Sequence, residues 1–573
     1  MCVSAIRFED FTFTYKAQAE PTVSHISLSI APGEKILIAG PSGSGKSTLA
    51  HCINGLIPHA FKGRIQGTVS LMGEDIRGMS IFAVSKKVGT VLQDTDGQFV
   101  GLRVGEDIAF VAENDCVPPE EMRRRVMEVA GMVRLEDQLT KAPQQLSGGQ
   151  KQRVSLAGVL MDKVEILLFD EPLANLDPAT GVQTIELIDR LHRETGKTII
   201  IVEHRLEEVL HRSVDRIVVM EQGRIKADLP PADLLATGML RETGIREPLY
   251  LSALRYAGTE IRAEMHPESL ETLTFDPARL RAWDQERGNE APEPPRSPLL
   301  TVRDLGFSYP RDPNRQPVLE GVSFTLAAGE WVSLVGKNGA GKSTLAKLIC
   351  GFNHPSTGSI SLEGQNLADL SIKERSQHLG YVMQNPNQMI SFPLIFDEVA
   401  LGLRNRGMGE KEIHDRVMDT LAICGLHPFR KWPVSALSYG QKKRLTIAAI
   451  LVLGPSLIIL DEPTAGQDFR HYRDIMEFLR KLNREQGTSF LFMTHDMHLM
   501  LEYTRRALVL VDGKLLADAA PATILTEPDL IAAARLKQTS LYNVALRAGL
   551  SDPVRFVGHF IAYERLQREA APA

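Results

Sequence analysis

The sequence predicts an α/β fold built twice in tandem, and three observations carry that expectation. Short apolar runs alternate with longer helical segments across residues 3–230 and again across 300–525, the pattern of a largely parallel sheet covered by helices. Four landmarks keep one register: Gln93, Ser147, Asp170 and His204 recur 291 residues later as Gln384, Ser438, Asp461 and His495. Each half also carries a glycine-rich loop entered from an apolar run, KILIAG in the first and WVSLVG in the second. A repeat of this length is a duplicated domain, since solenoid units run to about 20–50 residues.

At 573 residues the chain is too long for one hydrophobic core. Its 43% apolar and 24% charged composition is that of an ordinary globular protein. A net charge of -6 provides no global basic field, so nucleic acid is not an expected partner. The five cysteines lie far apart, with no C-x-x-C pair and no metal-ligand spacing, and read as reduced thiols of a cytosolic protein. The N-terminus lacks a basic segment followed by an apolar one, which argues against a secretory signal. The most apolar stretch, Leu445 to Leu460, is broken by Gly454 and Pro455 and is shorter than the roughly 20 residues a membrane span needs. It reads as a buried helix end, a turn and a core strand, so any membrane association runs through a partner.

The expected organisation is a first domain at 1–230, its C-terminal extension at 231–284, a linker at 285–299, a second domain at 300–525 and its extension at 526–573. Within it, Gln285 to Pro298 holds four prolines with acidic residues and no large aliphatic side chain, a solvated, semi-extended composition. The repeat continues into the extensions, where Leu249, Tyr250, Ala253, Leu254 and Arg255 recur as Leu541, Tyr542, Ala545, Leu546 and Arg547. Such a helix either packs on its own domain or pairs the halves. After Ser551, Asp552 and Pro553, a helix start, Val554, Phe556, Val557, Phe560 and Ile561 form an apolar face that the first half lacks.

The loops are Gly40, Pro41, Ser42, Gly43, Ser44, Gly45, Lys46, Ser47, Thr48 and Gly336, Lys337, Asn338, Gly339, Ala340, Gly341, Lys342, Ser343, Thr344. Both match G-x-x-x-x-G-K-[ST], a phosphate-binding loop. The glycines let backbone N–H groups curl around phosphates at a helix N-terminus, the lysine reaches the β and γ phosphates, and Ser47 or Ser343 can ligate Mg²⁺. Each half then has an apolar strand ending in two acids, Asp170-Glu171 and Asp461-Glu462. The aspartate suits Mg²⁺ through water, and the glutamate suits a base that polarises the attacking water. Two further strands end in His204 and His495. Tyr15 and Tyr309 precede the loop strands, placed either to stack on adenine or to pack in the core.

Ser147, Gly148, Gly149 and Gln150 in the first half, and Ser438, Tyr439, Gly440 and Gln441 in the second, each precede a K-x-R helical run. This motif resembles the signature of ABC-type ATPases. With the loop and the D-E strand, the resemblance covers both halves and implies two P-loop ABC domains, each with a helical signature subdomain. It implies that two ATP molecules are bound between the halves, each γ phosphate meeting the signature serine of the opposite half. Lys46, Ser47, Gln93, Asp170, Glu171 and His204 would then work with Ser438. Lys342, Ser343, Gln384, Asp461, Glu462 and His495 would work with Ser147. By the same resemblance the histidines contact the γ phosphate and orient water, and Gln93 and Gln384 join the metal site to the face that meets the transporter.

The segments QDTDGQF…VGEDIAF, QNPNQMI…FDEVALG and VEHRLEEV resemble ATPase subunits of energy-coupling factor (ECF) transporters, in forms that fuse two ATPases in one chain. This resemblance implies ATP hydrolysis that drives import of a vitamin, such as a thiamine precursor, or of a transition-metal ion. The implied partners are an integral membrane coupling protein and a small substrate-binding membrane protein. The implied place is peripheral, on the cytoplasmic face of a bacterial or archaeal cell membrane, with no homodimer required. A fused sugar-importer ATPase is the nearest alternative, although both halves here keep Lys, Asp, Glu and His. A tandem ATPase acting on ribosomes is the other, although a proline-rich acidic linker stands where a charged helical arm is expected. The halves differ at Tyr439, which takes a glycine's place, and at Gly466-Gln467. Slower hydrolysis is therefore expected at the site containing Lys46.

Overall fold

A computed structural model describes residues 3–16, 18–92, 96–174, 176–287, 296–310, 316–465 and 467–570. Gln93, Gly466 and most of the proline-rich linker lie outside the described residues. The chain folds as two compact units, one of Met1–Trp283 with Asp468–Arg470 and one of Asp284–Gln467 with His471–Ala573.

In the first unit a six-stranded sheet runs in the order Arg224–Leu229, Arg216–Glu221, Lys35–Ala39, Thr198–Val202, Ile166–Asp170, Val88–Val91. Every pairing is parallel except that of the two strands Arg224–Leu229 and Arg216–Glu221. Lys35–Ala39 and Thr198–Val202 are buried along their whole length. Strands covered on both faces read as unbroken apolar runs, which is why these segments were legible without alternation. The second unit repeats the order with Lys514–Ala519, Arg506–Val511, Trp331–Val335, Ser489–Met493, Leu457–Asp461 and Leu379–Val382.

Each unit also contains a four-stranded antiparallel sheet that the sequence reading did not separate from the parallel one. In the first unit its order is Val23–Ile30, Ile6–Tyr15, Gly63–Leu71, Glu74–Asp75. Val23, Ile26, Leu28 and Ile30 point inward while the residues between them are more exposed, the period-two pattern of a sheet with one solvated face. Phe11, Phe13 and Ile26 of this sheet share one core with Leu49 and Ile53 of the helix Lys46–Ile53 and with Ile36 and Ile38 of the parallel sheet. The helix that follows the phosphate loop is therefore clamped between two sheets.

A helical part projects from each core: Val104–Asn114, Pro119–Val133 and Gly148–Leu160 in the first unit, Ile395–Asn405, Glu410–Ile423 and Tyr439–Leu451 in the second. The stretch from Leu445 forms the end of the last helix, a turn and the strand Leu457–Asp461, as expected. Among the described residues no helix is long and apolar enough to cross a membrane.

Most of each extension packs on its own unit. Helix Leu249–Tyr256 buries Tyr250, Leu251, Ala253 and Leu254, and the Tyr250 hydroxyl donates to the Pro267 carbonyl at 2.6 Å. Helix Ser540–Arg547 buries Leu541, Val544 and Ala545. The last helix, Pro553–Ala570, packs on Ser540–Arg547, Met497–Tyr503 and Pro521–Ile524. Phe556, Val557, Phe560 and Ile561 are buried there, whereas Val554 stays 37% exposed at the helix start.

One ion pair sits inside the first core. Lys35 Nζ lies 2.5 Å from Asp189 Oδ1, with both side chains almost fully buried. Burial raises the Asp189 carboxyl, but the Lys35 ammonium and the Arg193 guanidinium together outweigh it and hold the group below its ordinary range. Lys35→Ala is expected to cost about 1–3 kcal/mol in urea unfolding by leaving Asp189 Oδ1 without its donor, while Arg193 Nε still reaches Oδ2 at 3.0 Å. Lys35→Met combined with Asp189→Leu should recover most of that loss.

Candidate active sites

The strand Lys35–Ala39 lies beside Thr198–Val202, which in turn lies beside Ile166–Asp170. Asp170 pairs with Val202, and Val202 pairs with Ile38, so the C-terminal ends of the three strands are level. That alignment gathers the phosphate loop, the two acids and His204 at one sheet edge, where open α/β sheets bind ligands. The same register brings Lys342, Asp461, Glu462 and His495 together in the second unit.

Gly40, Pro41, Ser42, Gly43, Ser44 and Gly45 connect strand to helix, and Lys46, Ser47 and Thr48 open the helix. Lys46 Nζ donates to the carbonyls of Gly40 at 2.7 Å and Pro41 at 2.9 Å, folding the side chain back over the loop. Lys342 repeats this with Gly336 at 2.6 Å and Lys337 at 3.1 Å. Asn338, Gly339, Ala340 and Gly341 complete the second loop, ahead of Ser343 and Thr344 in the helix Lys342–Cys350. Gly45 and Gly341 adopt φ of 100° and 105°, and a Cβ on either would stand 2.7 Å from Val23 Cγ1 or Leu319 Cδ2. Only glycine fits there without strain. Burial lowers the Lys46 ammonium, partly offset by the negative charge of Glu171.

The tyrosines reach the loop helices. Tyr15 Oη lies 3.2 Å from Thr48 Oγ1 and Tyr309 Oη 3.2 Å from Thr344 Oγ1. Each ring stands edge-on to a phenylalanine two residues earlier, Phe13 at 4.8 Å and Phe307 at 4.9 Å. One ring face is thus fixed by packing, and Tyr309 is 40% exposed.

Glu171 and Glu462 both adopt left-handed backbone, with φ of 49° and 46°. Such strain costs on the order of 1–3 kcal/mol and collects at functional sites. It is held by the Glu171 N–H donating to Val202 O and the Glu462 N–H to Met493 O, each at 2.9 Å. Burial, with the nearby Glu203 carboxylate, raises the Glu171 carboxyl to about 7. Burial also raises Glu462 to about 7, opposed by the Lys342 ammonium and reinforced by Asp461. A carboxyl near neutrality suits a proton acceptor. Burial likewise raises Asp170, against the pull of Lys46, and Asp461, whose Oδ2 accepts the Tyr381 hydroxyl at 3.1 Å.

Among the described residues no group of three His, Cys, Asp or Glu side chains could cage a metal. A buried carboxylate and a loop hydroxyl, Asp170 with Ser47 or Asp461 with Ser343, do fit Mg²⁺ in the manner of sites completed by water and phosphate oxygens.

The signature serines cap their helices. Ser147 Oγ accepts the Gln150 N–H at 3.4 Å while Gln150 Oε1 accepts the Ser147 N–H at 3.0 Å, and Ser438 and Gln441 make the same reciprocal pair at 3.3 and 2.9 Å. Gly148 and Gly149, like Tyr439 and Gly440, form the first helical turn and present backbone N–H groups. Tyr439 crosses its own unit to donate to the Gln384 carbonyl at 3.4 Å, and Lys442 Nζ donates to Asn387 Oδ1 at 3.1 Å.

Two buried residues escaped the sequence reading. Lys443 donates to the Glu462 carbonyl at 3.1 Å, where the first unit has Gln152 bonded to the Pro172 carbonyl. Burial lowers Lys443 to about 8. Glu203, whose counterpart is Thr494, adds a buried carboxylate to the first site. Lining up the two halves residue by residue exposes both exchanges, whereas a search for motifs passes over them. Gly45→Ala should weaken ATP binding about tenfold or more, measured by calorimetry, while circular dichroism stays native.

Residues 23–174 and 319–465 match the family described as ABC transporter, and residues 237–307 match one described as ATP-binding cassette cobalt transporter. A protein of Clostridium perfringens, provisionally named an ABC transporter ATP-binding protein, is 54% identical over 562 residues, covering 98% of each chain. A Vibrio parahaemolyticus relative with the same provisional name is 54% identical over 566 residues, covering 98% of this chain and 97% of its own. The solved structure of cbiO1 from Clostridium perfringens, part of the ABC transporter complex cbiONQ, is 29% identical and covers 46% of this chain and 99% of its own, with a TM-score of 0.39. With two matched segments spanning more than half of the chain and relatives sharing nearly its full length, the chain belongs to the ABC transporter ATP-binding proteins and is an ATP-hydrolysing subunit of such a transporter.

Proposed function

We propose that the chain energises an importer of the ECF type for a vitamin or a transition-metal ion. The observation that carries this is the match of residues 237–307 to a family described as ATP-binding cassette cobalt transporter, a segment outside the motifs that all such ATPases share. It favours the transition-metal ion over a vitamin as cargo. The cargo is recognised by membrane partners, a coupling protein and a small binding protein, on the cytoplasmic face of which this chain docks.

In this reading each ATP is held by one half and completed by the signature of the other. Lys46, Ser47 and Thr48 bind phosphates, Asp170 with Ser47 and Gln93 holds Mg²⁺, and Glu171 takes the proton of the attacking water. His204 orients that water, Tyr15 stacks on adenine, and Ser438 with Gly440 closes over the γ phosphate. Lys342, Ser343, Asp461, Gln384, Glu462, His495, Tyr309 and Ser147 play the same parts in the other site. When bound, Mg²⁺ neutralises charge on the phosphates. Closure of the halves around ATP and their opening after hydrolysis supply the stroke.

The domain boundaries of the sequence reading fit this scheme, with the ATPase cores at 1–230 and 300–525 and the extensions as supports. The Tyr439 side chain, tied to the Gln384 carbonyl, supports slower chemistry in the site containing Lys46.

Affinity capture of the chain from solubilised membranes should recover two membrane proteins, one of them small. Ribosomal proteins in their place would sink the importer reading. In the purified complex Glu462→Gln should remove a larger share of ATPase activity than Glu171→Gln, and equal losses would contradict the proposed inequality.

A further inference from the structure

We propose that Glu203 is a positioning residue of the first site, holding the His204 imidazole in register with the turn that carries Glu171. The inference rests on the role assigned to His204 above.

Glu203 follows the strand Thr198–Val202 and is 1% exposed. A buried carboxylate persists only where donors converge on it. Its Oε1 accepts the backbone N–H of His204 at 2.9 Å and of Arg205 at 3.3 Å, and lies 3.2 Å from His204 Nδ1. Its Oε2 accepts the N–H of Leu173 at 3.3 Å, two residues beyond Glu171. One side chain therefore joins the end of the histidine strand to the turn after the D-E strand.

The second unit shows what this turn needs and what it does not. Thr494 Oγ1 accepts the Asp496 N–H at 2.9 Å and donates to Glu462 Oε2 at 3.3 Å. Asp496 Oδ2 also accepts the Thr464 hydroxyl at 3.2 Å, so there the link to the turn runs through a half-buried carboxylate, and the position of Glu203 is filled by a neutral hydroxyl. The histidines also use opposite nitrogens, for His495 meets Glu462 Oε1 through Nε2 at 3.5 Å while His204 meets Glu203 through Nδ1. A carboxylate 3.2 Å from Nδ1 favours a proton on that nitrogen, which would leave Nε2 to act on the nucleotide. The carboxylate beside the imidazole thus differs between the sites, Glu203 at Nδ1 in the first and Glu462 at Nε2 in the second.

The test is a double-mutant cycle on the full chain, with steady-state ATPase kinetics and thermal unfolding for Glu203→Gln, Glu203→Thr, His204→Ala and the combined variants. Measured in the Glu462→Gln background, where the remaining turnover belongs to the first site, Glu203→Gln and Glu203→Thr should each lower kcat about twofold or more with KM unchanged, and should add nothing to the loss caused by His204→Ala. Losses that add to those of His204→Ala, or that track a lowered Tm, would mean that Glu203 only supports the strand end, and the proposal falls. Unchanged kcat in the Glu203 variants alone overturns the proposal and spares the role of His204. Unchanged kcat in His204→Ala overturns both.

Discussion

Each site depends on placing charge where water is scarce. The Lys46 and Lys342 ammonium groups are folded against backbone carbonyls at the head of a helix clamped between two sheets. Opposite them stand carboxyls whose burial raises them toward neutrality. Such an arrangement is costly in the protein alone and favours any ligand that brings phosphate to the lysine and a cation to the acids. The left-handed backbone at Glu171 and Glu462 belongs to the same economy, strain held by ladder hydrogen bonds from the neighbouring strand.

From that constraint the rest of each unit follows. Level strand ends require parallel pairing, parallel pairing requires crossover helices, and covered faces require the unbroken apolar runs seen in the sequence. The antiparallel sheet closes the remaining side of the loop helix, and its strand Ile6–Tyr15 delivers Tyr15 to Thr48. Fold and site are therefore joined through the Lys46–Ile53 helix and its counterpart.

The two units repeat this plan with exchanged charges. Where the first has neutral Gln152 and buried Glu203, the second has buried Lys443 and neutral Thr494. Two positions beyond Glu203 and Thr494 the exchange reverses, with Arg205 in the first unit against Asp496 in the second, so each glutamate has one added charge of either sign in a different arrangement. Equal motifs do not make equal sites.

Much of this was legible in the sequence because it rests on local rules. G-x-x-x-x-G-K-[ST] needs only its own backbone to make a loop, Ser147 and Ser438 cap helices with partners three residues away, and the long apolar runs announce buried strands. The sequence by itself determined the duplication, the phosphate loops and the identity of the acids and histidines at the strand ends. The separate antiparallel sheet, the packing of the C-terminal helices on their own units, the choice of imidazole nitrogen and the burial of Glu203 and Lys443 were decided only by tertiary structure. Each depends on which distant segment supplies the neighbour, and desolvation, unlike capping or periodicity, is a property of the assembled core.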